Sequence, residues 1–204
     1  MTVPDSVSDE ALMGLAAGGN EEAFVEIYRR RRASLYRFAL HMAGSEALAD
    51  DITQEVFLAL LNKRNGFDPA RGTLPAYLIG IARKLLRRHF ERHPAQRSLN
   101  EVASNGFSMT PEPLIERHDP HTQLSSAEAI ATVRHAILTL PPRYREAVVL
   151  CDLEEMEYEE AAAAADCAVG TIRSRLHRAR ALLAKKLGPP GPALAYLKTK
   201  RCLV

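Results

Sequence analysis

The stretch TIRSRLHRARALLAKKL, residues 171–187, contains no carboxylate. Its cations are Arg173, Arg175, Arg178, Arg180, Lys185 and Lys186. On a helix of 3.6 residues per turn one face is apolar, made of Ile172, Leu176, Ala179, Leu183 and Leu187. That face is suited to burial, and the basic residues beside it are suited to an anionic ligand. Because guanidinium groups neutralise phosphates and pair bidentately with guanine, the pattern indicates a DNA-binding helix.

A second predicted helix, residues 158–165, precedes the basic helix, and only the short stretch DCAVG lies between them. A helix, a tight turn and a basic amphipathic helix form the helix-turn-helix pattern, whose second helix enters the major groove. The alternative is a solvated face on an ordinary bundle helix. The absence of carboxylates from 171–187 and the short turn before it favour the DNA-binding interpretation.

An earlier segment, RKLLRRHFERH at 83–93, has a similar division of residues. Apolar side chains can pack inward from one face, namely Ile81, Leu85 or Leu86, and Phe90. The other face presents Arg83, Lys84, Arg87, Arg88 and Arg92 against the single acid Glu91. Alone, this segment also fits a solvated helix face. Two such helices, one on each side of a linker, indicate two separate contacts with nucleic acid.

The acidic residues are grouped as well. The segment EEMEYEE, residues 154–160, would repel a phosphate backbone, so we expect it to face away from DNA or towards a basic partner. The predicted helix 46–62 is apolar nearly all round, apart from a stripe formed by Asp51, Gln54 and Glu55 together with Leu58. Acids on an otherwise apolar helix suggest a protein partner with basic residues. A salt-bridged strip facing solvent is the alternative.

The chain as a whole has the composition of a globular protein: 204 residues, 47% apolar and 25% charged. The acidic start, MTVPDSVSDE, is unlike a signal peptide, and no apolar run approaches 18 residues, so we expect a cytoplasmic protein without membrane insertion. Cys151, Cys167 and Cys202 are odd in number and far apart, which disfavours a disulfide framework.

Periodicity of three and four residues recurs along the chain, and strand-like alternation does not, so the predicted fold is all-α. Prolines, Ser, Asn and Gly interrupt the pattern after residue 93. We therefore predict two small helical domains, 1–93 and 126–187, joined by a flexible linker at 94–125 and followed by a tail at 188–204. Both basic faces are expected to point to solvent, in domains that do not fuse into one globule.

Residues typical of metal sites or catalysis lack the partners they would need. His89 and His93 share a helix face, and His118 lies near His121, but no further ligand is placed to complete a zinc site. The Gly-rich stretch 14–20 follows no strand, so it is predicted to be a turn. With no Ser/His/Asp or Cys/His constellation in a supporting context, we expect no catalytic residues, no metal, no cofactor and no enzymatic activity.

Taken together, these segments resemble a bacterial RNA polymerase sigma factor of the extracytoplasmic-function (ECF) group, in the sigma-70 family. ADDITQEVFLALL and FDPARGTLPAYLIGIARKLLRRHF are similar to sigma region 2. LPPRYREAVVLCDLEEMEYEEAAAAADCAVGTIRSRLHRARALL is similar to sigma region 4 nearly end to end. The resemblance implies a region 2 bundle at 1–93 and a region 4 helix-turn-helix at 126–187, which bind core polymerase and recognise the −10 and −35 promoter elements.

The resemblance also implies a role for particular residues. Contact with the clamp of the polymerase beta-prime subunit falls to Asp51, Gln54, Glu55 and Leu58. Contact with the −10 element falls to Phe67, Arg83, Lys84, Arg87 and Arg88. Contact with the −35 major groove falls to Arg173, Ser174, Arg175, His177 and Arg178. The 154–160 acids would dock on the polymerase beta flap, and family members are commonly held by an anti-sigma protein.

Some positions depart from the family pattern. Lys84 replaces a frequent asparagine that helps to hold a flipped base, and Ala161 to Ala165 replace an isoleucine-containing helix, so thinner packing is expected there.

A linker of ~30 residues reaches about 100 Å at ~3.3 Å per residue. It can therefore join two elements about two duplex turns, or ~70 Å, apart. The rival hypotheses are a stand-alone helix-turn-helix regulator and an enzyme with a DNA-binding tail.

Overall fold

The computed structural model describes residues 7–62, 66–93 and 130–187, and every regular element in these ranges is helical. The elements are α1 (Asp9–Ala17), α2 (Glu21–Ala43), α3 (Glu46–Asn62), a 3₁₀ turn (Pro69–Arg71), α4 (Leu74–Arg92), α5 (130–138), α6 (Pro142–Val148), a π segment (Val149–Leu153), α7 (Tyr158–Ala164) and α8 (Val169–Leu187). The predicted all-α fold is confirmed. The predicted linker and tail lie outside the described residues.

The first helical unit, α1 to α4, has clear local signals at its helix ends. The Asn20 side chain accepts a hydrogen bond of 2.9 Å from the Ala23 amide and so begins α2. Gly44, in the left-handed conformation at φ 68°, ends α2 as the sequence predicts. The four helices bury a common core that includes Phe38 and Leu78.

The second unit, α5 to α8, turns at the prolines that follow Leu140. Pro141 is the N-cap of α6 and Pro142 its first residue, where a missing amide proton costs little. The buried Arg145 in α6 donates hydrogen bonds back to the carbonyls of Leu138 and Leu140, which fixes the corner between α5 and α6. The core of this unit includes Ile137, Leu140, Leu150, Ile172 and Leu183.

The two units pack against each other. Arg145 also donates to the Met42 carbonyl, 2.8 Å away, near the end of α2. Arg37 of α2 pairs with the buried Glu154 at 2.9 Å. Helix α4 lies against α7. The fold class of two helical domains is confirmed, but the expectation that they do not pack together is wrong for this structure.

Candidate nucleic-acid and polymerase interfaces

The basic helix α8 is held in place by the face that the sequence predicts. Ile172, Leu176, Ala179 and Leu183 are all buried, with exposures of 0–2%. The turn before α8 is closed by a 3.0 Å hydrogen bond from the Cys167 amide to the Ala162 carbonyl. Helix α7, this turn and α8 together form the predicted helix-turn-helix. The apolar stripe fixes the rotation of α8, so the residues on its other side face outward.

The residues expected to contact the −35 element fall into two groups. Arg173, Ser174, His177 and Arg178 are exposed. The guanidinium of Arg173 lies over the ring of Tyr158, 5.1 Å from its centroid. The fifth, Arg175, is turned towards the protein instead: one of its Nη atoms lies 3.8 Å from the sulfur of Cys167 and 4.0 Å from a carboxylate oxygen of Glu146. Sequence periodicity alone does not separate Arg175 from its neighbours.

Two residues beside this surface did not emerge as site candidates from the sequence. Tyr144, on α6, is hydrogen-bonded by Arg178, and this bond, aided by nearby Arg143, lowers the pKa of the phenol. The Arg143 guanidinium also stacks over the Tyr144 ring at 4.9 Å. Arg143 thus extends the cationic surface of α8, and Tyr144 lies between Arg143 and Arg178. Their contribution depends on how α6 crosses α8, and local sequence pattern does not give this crossing.

Arg180 is exposed but, unlike Arg178, forms a close ion pair within the protein. It forms a 2.5 Å ion pair with Asp152 in the π segment, and the hydrogen bond to this carboxylate raises the pKa of Arg180. The pair joins the middle of α8 to the segment after α6. Arg180 therefore contributes to the packing of the second unit.

Helix α4 carries the residues expected at the −10 element. Lys84, Arg87 and Arg88 are exposed. Arg83 instead pairs with Glu146 of the other unit through a 2.7 Å contact between Nε and Oε1. Phe67, in the short segment before the 3₁₀ turn, is half-buried and packs on Tyr77, with ring centroids 5.6 Å apart. The cations of α4 thus form an exposed surface, with the exception of Arg83.

Helix α3 presents the predicted stripe to solvent. Its opposite face is buried through Ile52, Thr53, Val56, Phe57 and Leu60. Asp51, Gln54 and Glu55 are exposed, and Leu58 exposes 57% of its surface. Within 7–62, 66–93 and 130–187, no ion pair engages Asp51 or Glu55. This disfavours the salt-bridged strip and leaves an acidic stripe with an exposed leucine, which is a surface suited to a basic protein partner.

The acidic segment 154–160 is not uniform. Glu154 is held by Arg37 and by the Ser34 hydroxyl, which donates to it at 2.6 Å. Glu157 is exposed, and Glu159 is also exposed but lies 4.0 Å from Arg173. The acidic segment was expected to face a basic partner. For Glu154 that partner is Arg37, in the first unit of the same chain.

Two of the candidate metal ligands lie side by side at the end of α4. His89 and His93 stack with centroids 4.6 Å apart. In the part of the chain that the structure describes, no group of three or more His, Cys, Asp or Glu side chains could hold a metal ion. His118 and His121 lie outside the described residues. Within the same ranges, no helix has the length and apolar character to cross a membrane.

Comparisons with known proteins agree with this geometry. Residues 27–95 match the family model for sigma-70 region 2, and residues 130–183 match the model for sigma-70 region 4. The chain is 35% identical over 184 residues to the ECF RNA polymerase sigma factor SigC of Mycobacterium tuberculosis, a match that covers 90% of this chain and 94% of SigC. The chain belongs to the ECF group of RNA polymerase sigma factors. As a sigma factor, it directs transcription from promoters.

Two further sigma factors show how far the likeness extends. EcfG of Rhodopseudomonas palustris is 36% identical over 154 residues, which cover 76% of this chain and 79% of EcfG. SigE of Mycolicibacterium smegmatis is 30% identical over 176 residues, which cover 86% of this sigma factor but only 63% of SigE.

The fold is also similar to solved structures. CnrH, solved in complex with the cytosolic domain of CnrY, has a TM-score of 0.63 and 26% identity over 88% of this chain and 96% of CnrH. RpoE of Bartonella quintana, solved in complex with the anti-sigma factor NepR, has a TM-score of 0.57 and 26% identity over 80% of this chain and 96% of RpoE.

Proposed function

We propose that this sigma factor binds core RNA polymerase through α3 and reads the −35 and −10 promoter elements through α8 and α4. The exposed cationic side of α8, set by its buried stripe in a helix-turn-helix, is the observation that carries the proposal. In it, Arg173, Ser174, His177 and Arg178 read base edges and phosphates in the −35 major groove. Arg175 joins them once it leaves Glu146.

At the −10 element, Lys84, Arg87 and Arg88 contact the backbone, and Arg83 adds a fourth cation when it is released from Glu146. Phe67 lies at the start of the loop that leads into α4, where its ring can stack on an unpaired base. Lys84 stands where related proteins often have an asparagine. In this chain the position therefore supplies a charge for phosphate rather than an amide for a flipped base.

The polymerase contact assigned to α3 is supported by exposure and charge. Asp51, Gln54 and Glu55 meet basic residues of the beta-prime clamp, and the exposed Leu58 gives the contact an apolar centre. In the acidic segment 154–160, the exposed Glu157 is the residue assigned to the beta flap. The polymerase supplies the chemistry of RNA synthesis, so this chain acts without a catalytic site or cofactor of its own.

In this scheme, 1–93 is the polymerase and −10 unit, 94–125 the linker, 126–187 the −35 unit and 188–204 a tail. The protein acts in the cytoplasm, where the polymerase and promoters are. CnrH and RpoE were solved with CnrY and NepR, respectively. This supports an anti-sigma protein as a further partner of this chain.

Run-off transcription with purified core polymerase tests the proposal. Asp51→Lys reverses the charge of the stripe, so we expect transcription to be abolished because polymerase binding is lost. Glu46→Lys is the matched control: Glu46 is exposed in the first turn of α3 and lies about 140° from Asp51 around the helix, so we expect near-normal transcription. If Asp51→Lys transcribed normally, the assignment of the polymerase contact to the α3 stripe would be wrong. If the chain bound promoter DNA as a dimer and supported no transcription with core polymerase, a stand-alone regulator would be the better assignment.

A further inference from the structure

Tyr144 lies where α6 crosses α8, beside the surface assigned to the −35 element. It is the third residue of α6, after Pro142 and Arg143, and it is half-buried. Arg178 of α8 donates a hydrogen bond to its phenol oxygen. The Arg143 guanidinium lies 4.9 Å from the centroid of its ring. One tyrosine therefore stands between an arginine of the recognition helix and an arginine of another helix.

The packing of α6 on α8 holds this tyrosine in place. Residues 145–148 of α6 are all buried. Arg175, three residues before Arg178 on α8, lies 4.0 Å from Glu146 of α6. The two helices thus meet at two successive points, Glu146 with Arg175 and Tyr144 with Arg178. Because a side chain on a packed helix is held more precisely than one on a loop, Tyr144 is a rigid support for Arg178.

The hydrogen bond leaves Arg178 able to bind DNA. A guanidinium has only donors, so the phenol oxygen is the acceptor. Arg178 has five N–H groups in a planar fork, and a single acceptor engages only one side of that fork. Two parallel N–H groups are what the O6 and N7 atoms of guanine require. The bond to Tyr144 therefore limits the directions in which Arg178 can point without using all of its donors.

Such a restriction is useful to an exposed arginine. Arg178 is exposed, and a long side chain in solvent loses rotamer freedom when it binds a ligand. A partner that orders the side chain in the free protein removes part of that cost. Bidentate pairing with a base depends on the orientation of the guanidinium, whereas attraction to phosphate depends mainly on its charge. An orienting partner should therefore raise sequence preference more than general affinity for DNA.

Arg143 has different surroundings. It is exposed and lies in the first turn of α6, outside the recognition helix. Among the described residues, 7–62, 66–93 and 130–187, no carboxylate forms an ion pair with it. In helix-turn-helix proteins, elements beside the recognition helix cross the DNA backbone. A free cation at this position is therefore suited to a phosphate group.

We propose that Tyr144 is a positioning residue for −35 recognition, whose phenol oxygen orients Arg178 towards a base edge, and that Arg143 adds a phosphate contact beside it. The proposal rests on the DNA contact assigned above to α8. It goes beyond that assignment because it gives α6 a part in recognition and separates the roles of two arginines. Arg178 serves sequence preference, and Arg143 serves general affinity.

Filter binding by the complete complex of core polymerase and full-length sigma factor tests these roles. Two probes are compared: the duplex that the wild-type complex enriches most from a random-sequence pool, and the unselected pool. Tyr144→Phe keeps the ring beside Arg143 and removes only the hydroxyl. We expect it to bind the enriched duplex about 2–10-fold more weakly, the range for one long side chain that must be ordered on binding. Binding of the unselected pool should match wild type.

A double-mutant cycle shows whether the hydroxyl acts through Arg178. Arg178→Ala alone should weaken binding of the enriched duplex, and adding Tyr144→Phe to it should cause no further loss. A hydroxyl that only stabilised the fold would cost the same with or without Arg178. Tyr28→Phe is the matched control, because it removes a hydroxyl from a tyrosine of α2 that also lies beside an arginine, with Arg32 5.9 Å from the ring centroid. It should bind both probes like wild type.

Arg143→Gln tests the phosphate contact. With one phosphate contact fewer, the slope of log K against log salt should become shallower by about 0.9. The change should be the same for the enriched duplex and for the unselected pool, because a phosphate contact carries no sequence information. Tyr144→Phe should leave the slope unchanged, since it does not alter the number of cations.

The proposal is overturned if Tyr144→Phe binds the enriched duplex like wild type, if its full loss persists in the Arg178→Ala background, or if Arg143→Gln leaves the salt slope unchanged. Failure of the proposed function looks different, because Arg178→Ala itself would then bind the enriched duplex like wild type. A defect in Arg178→Ala without a defect in Tyr144→Phe rejects the positioning role and leaves the assignment of α8 intact.

Discussion

Arg145 connects α6 to the end of α5 and, through Met42, to the first helical unit, and its replacement should be costly. The side chain is buried, with 5% exposure. It donates to three backbone carbonyls: Met42 at 2.8 Å, Leu140 at 3.2 Å and Leu138. Hydrogen bonds from a charged donor contribute about 1.5–3 kcal/mol each, and a buried acceptor left without a donor costs about 1–3 kcal/mol.

Arg145→Met keeps an unbranched stem and removes all three bonds. Removing the buried charge also removes its desolvation cost, which offsets part of the loss. We therefore expect the free energy of unfolding to fall by about 2–4 kcal/mol, measured by urea denaturation followed by circular dichroism. Arg143→Met, an exposed position in the same helix, is the matched control and should stay within about 0.5 kcal/mol of wild type. A loss below about 1 kcal/mol for Arg145→Met would refute the assignment of Arg145 as a main connection.

Three further outcomes are expected. Arg178→Ala should weaken binding of a −35 duplex by the polymerase–sigma complex by about 1–3 kcal/mol in a filter-binding assay, and unchanged promoter occupancy would contradict the assignment of α8. Gly44→Ala should lower the free energy of unfolding by about 1–2 kcal/mol, because φ is 68° there and a Cβ would lie 3.3 Å from a methyl group of Leu138; a stable variant in thermal denaturation would exclude this strain. Burial raises the pKa of Cys151 to about 11, so at pH 8 only about 0.1% is thiolate. In a chain whose other two cysteines are serine, iodoacetamide should therefore modify it about a hundredfold more slowly than a small free thiol, with the rate rising up to about pH 11, and a plateau near pH 9 would argue against its burial.

Local sequence pattern predicted the helices and the buried faces. The stripe from Ile172 to Leu183 is buried, Gly44 ends α2, and α3 covers the predicted 46–62. These features follow from helical periodicity and from the backbone freedom of glycine, which depend on neighbouring residues only. The acidic stripe with Asp51 was found in the same way, because one buried face leaves the other in solvent.

Partners between helices could not be predicted in this way. Periodicity placed Arg83 and Arg175 among exposed cations, but each has Glu146 as a tertiary partner. Nothing in the sequence around Glu146, an acid between Arg145 and an apolar run, indicates that it meets helices from both units. Tyr144 was missed as a neighbour of Arg178 for the same reason, since the crossing of α6 and α8 is a long-range property.

The grouping of charges along the chain follows from these pairings. Asp152 meets Arg180, and Glu154 meets Arg37, each through contacts of 3 Å or less. Acids before α8 thus neutralise arginines that hold the fold, whereas Arg173 meets Glu159 only at 4.0 Å in an exposed pair, which contributes little. The cations of α8 outnumber the acids that form close ion pairs with them, so the excess is available to bind an external polyanion. On α8 that excess lies on the side of Arg173 and Arg178, so the proposed DNA-reading surface is narrower than the basic sequence and consists of the arginines that do not pair within the fold.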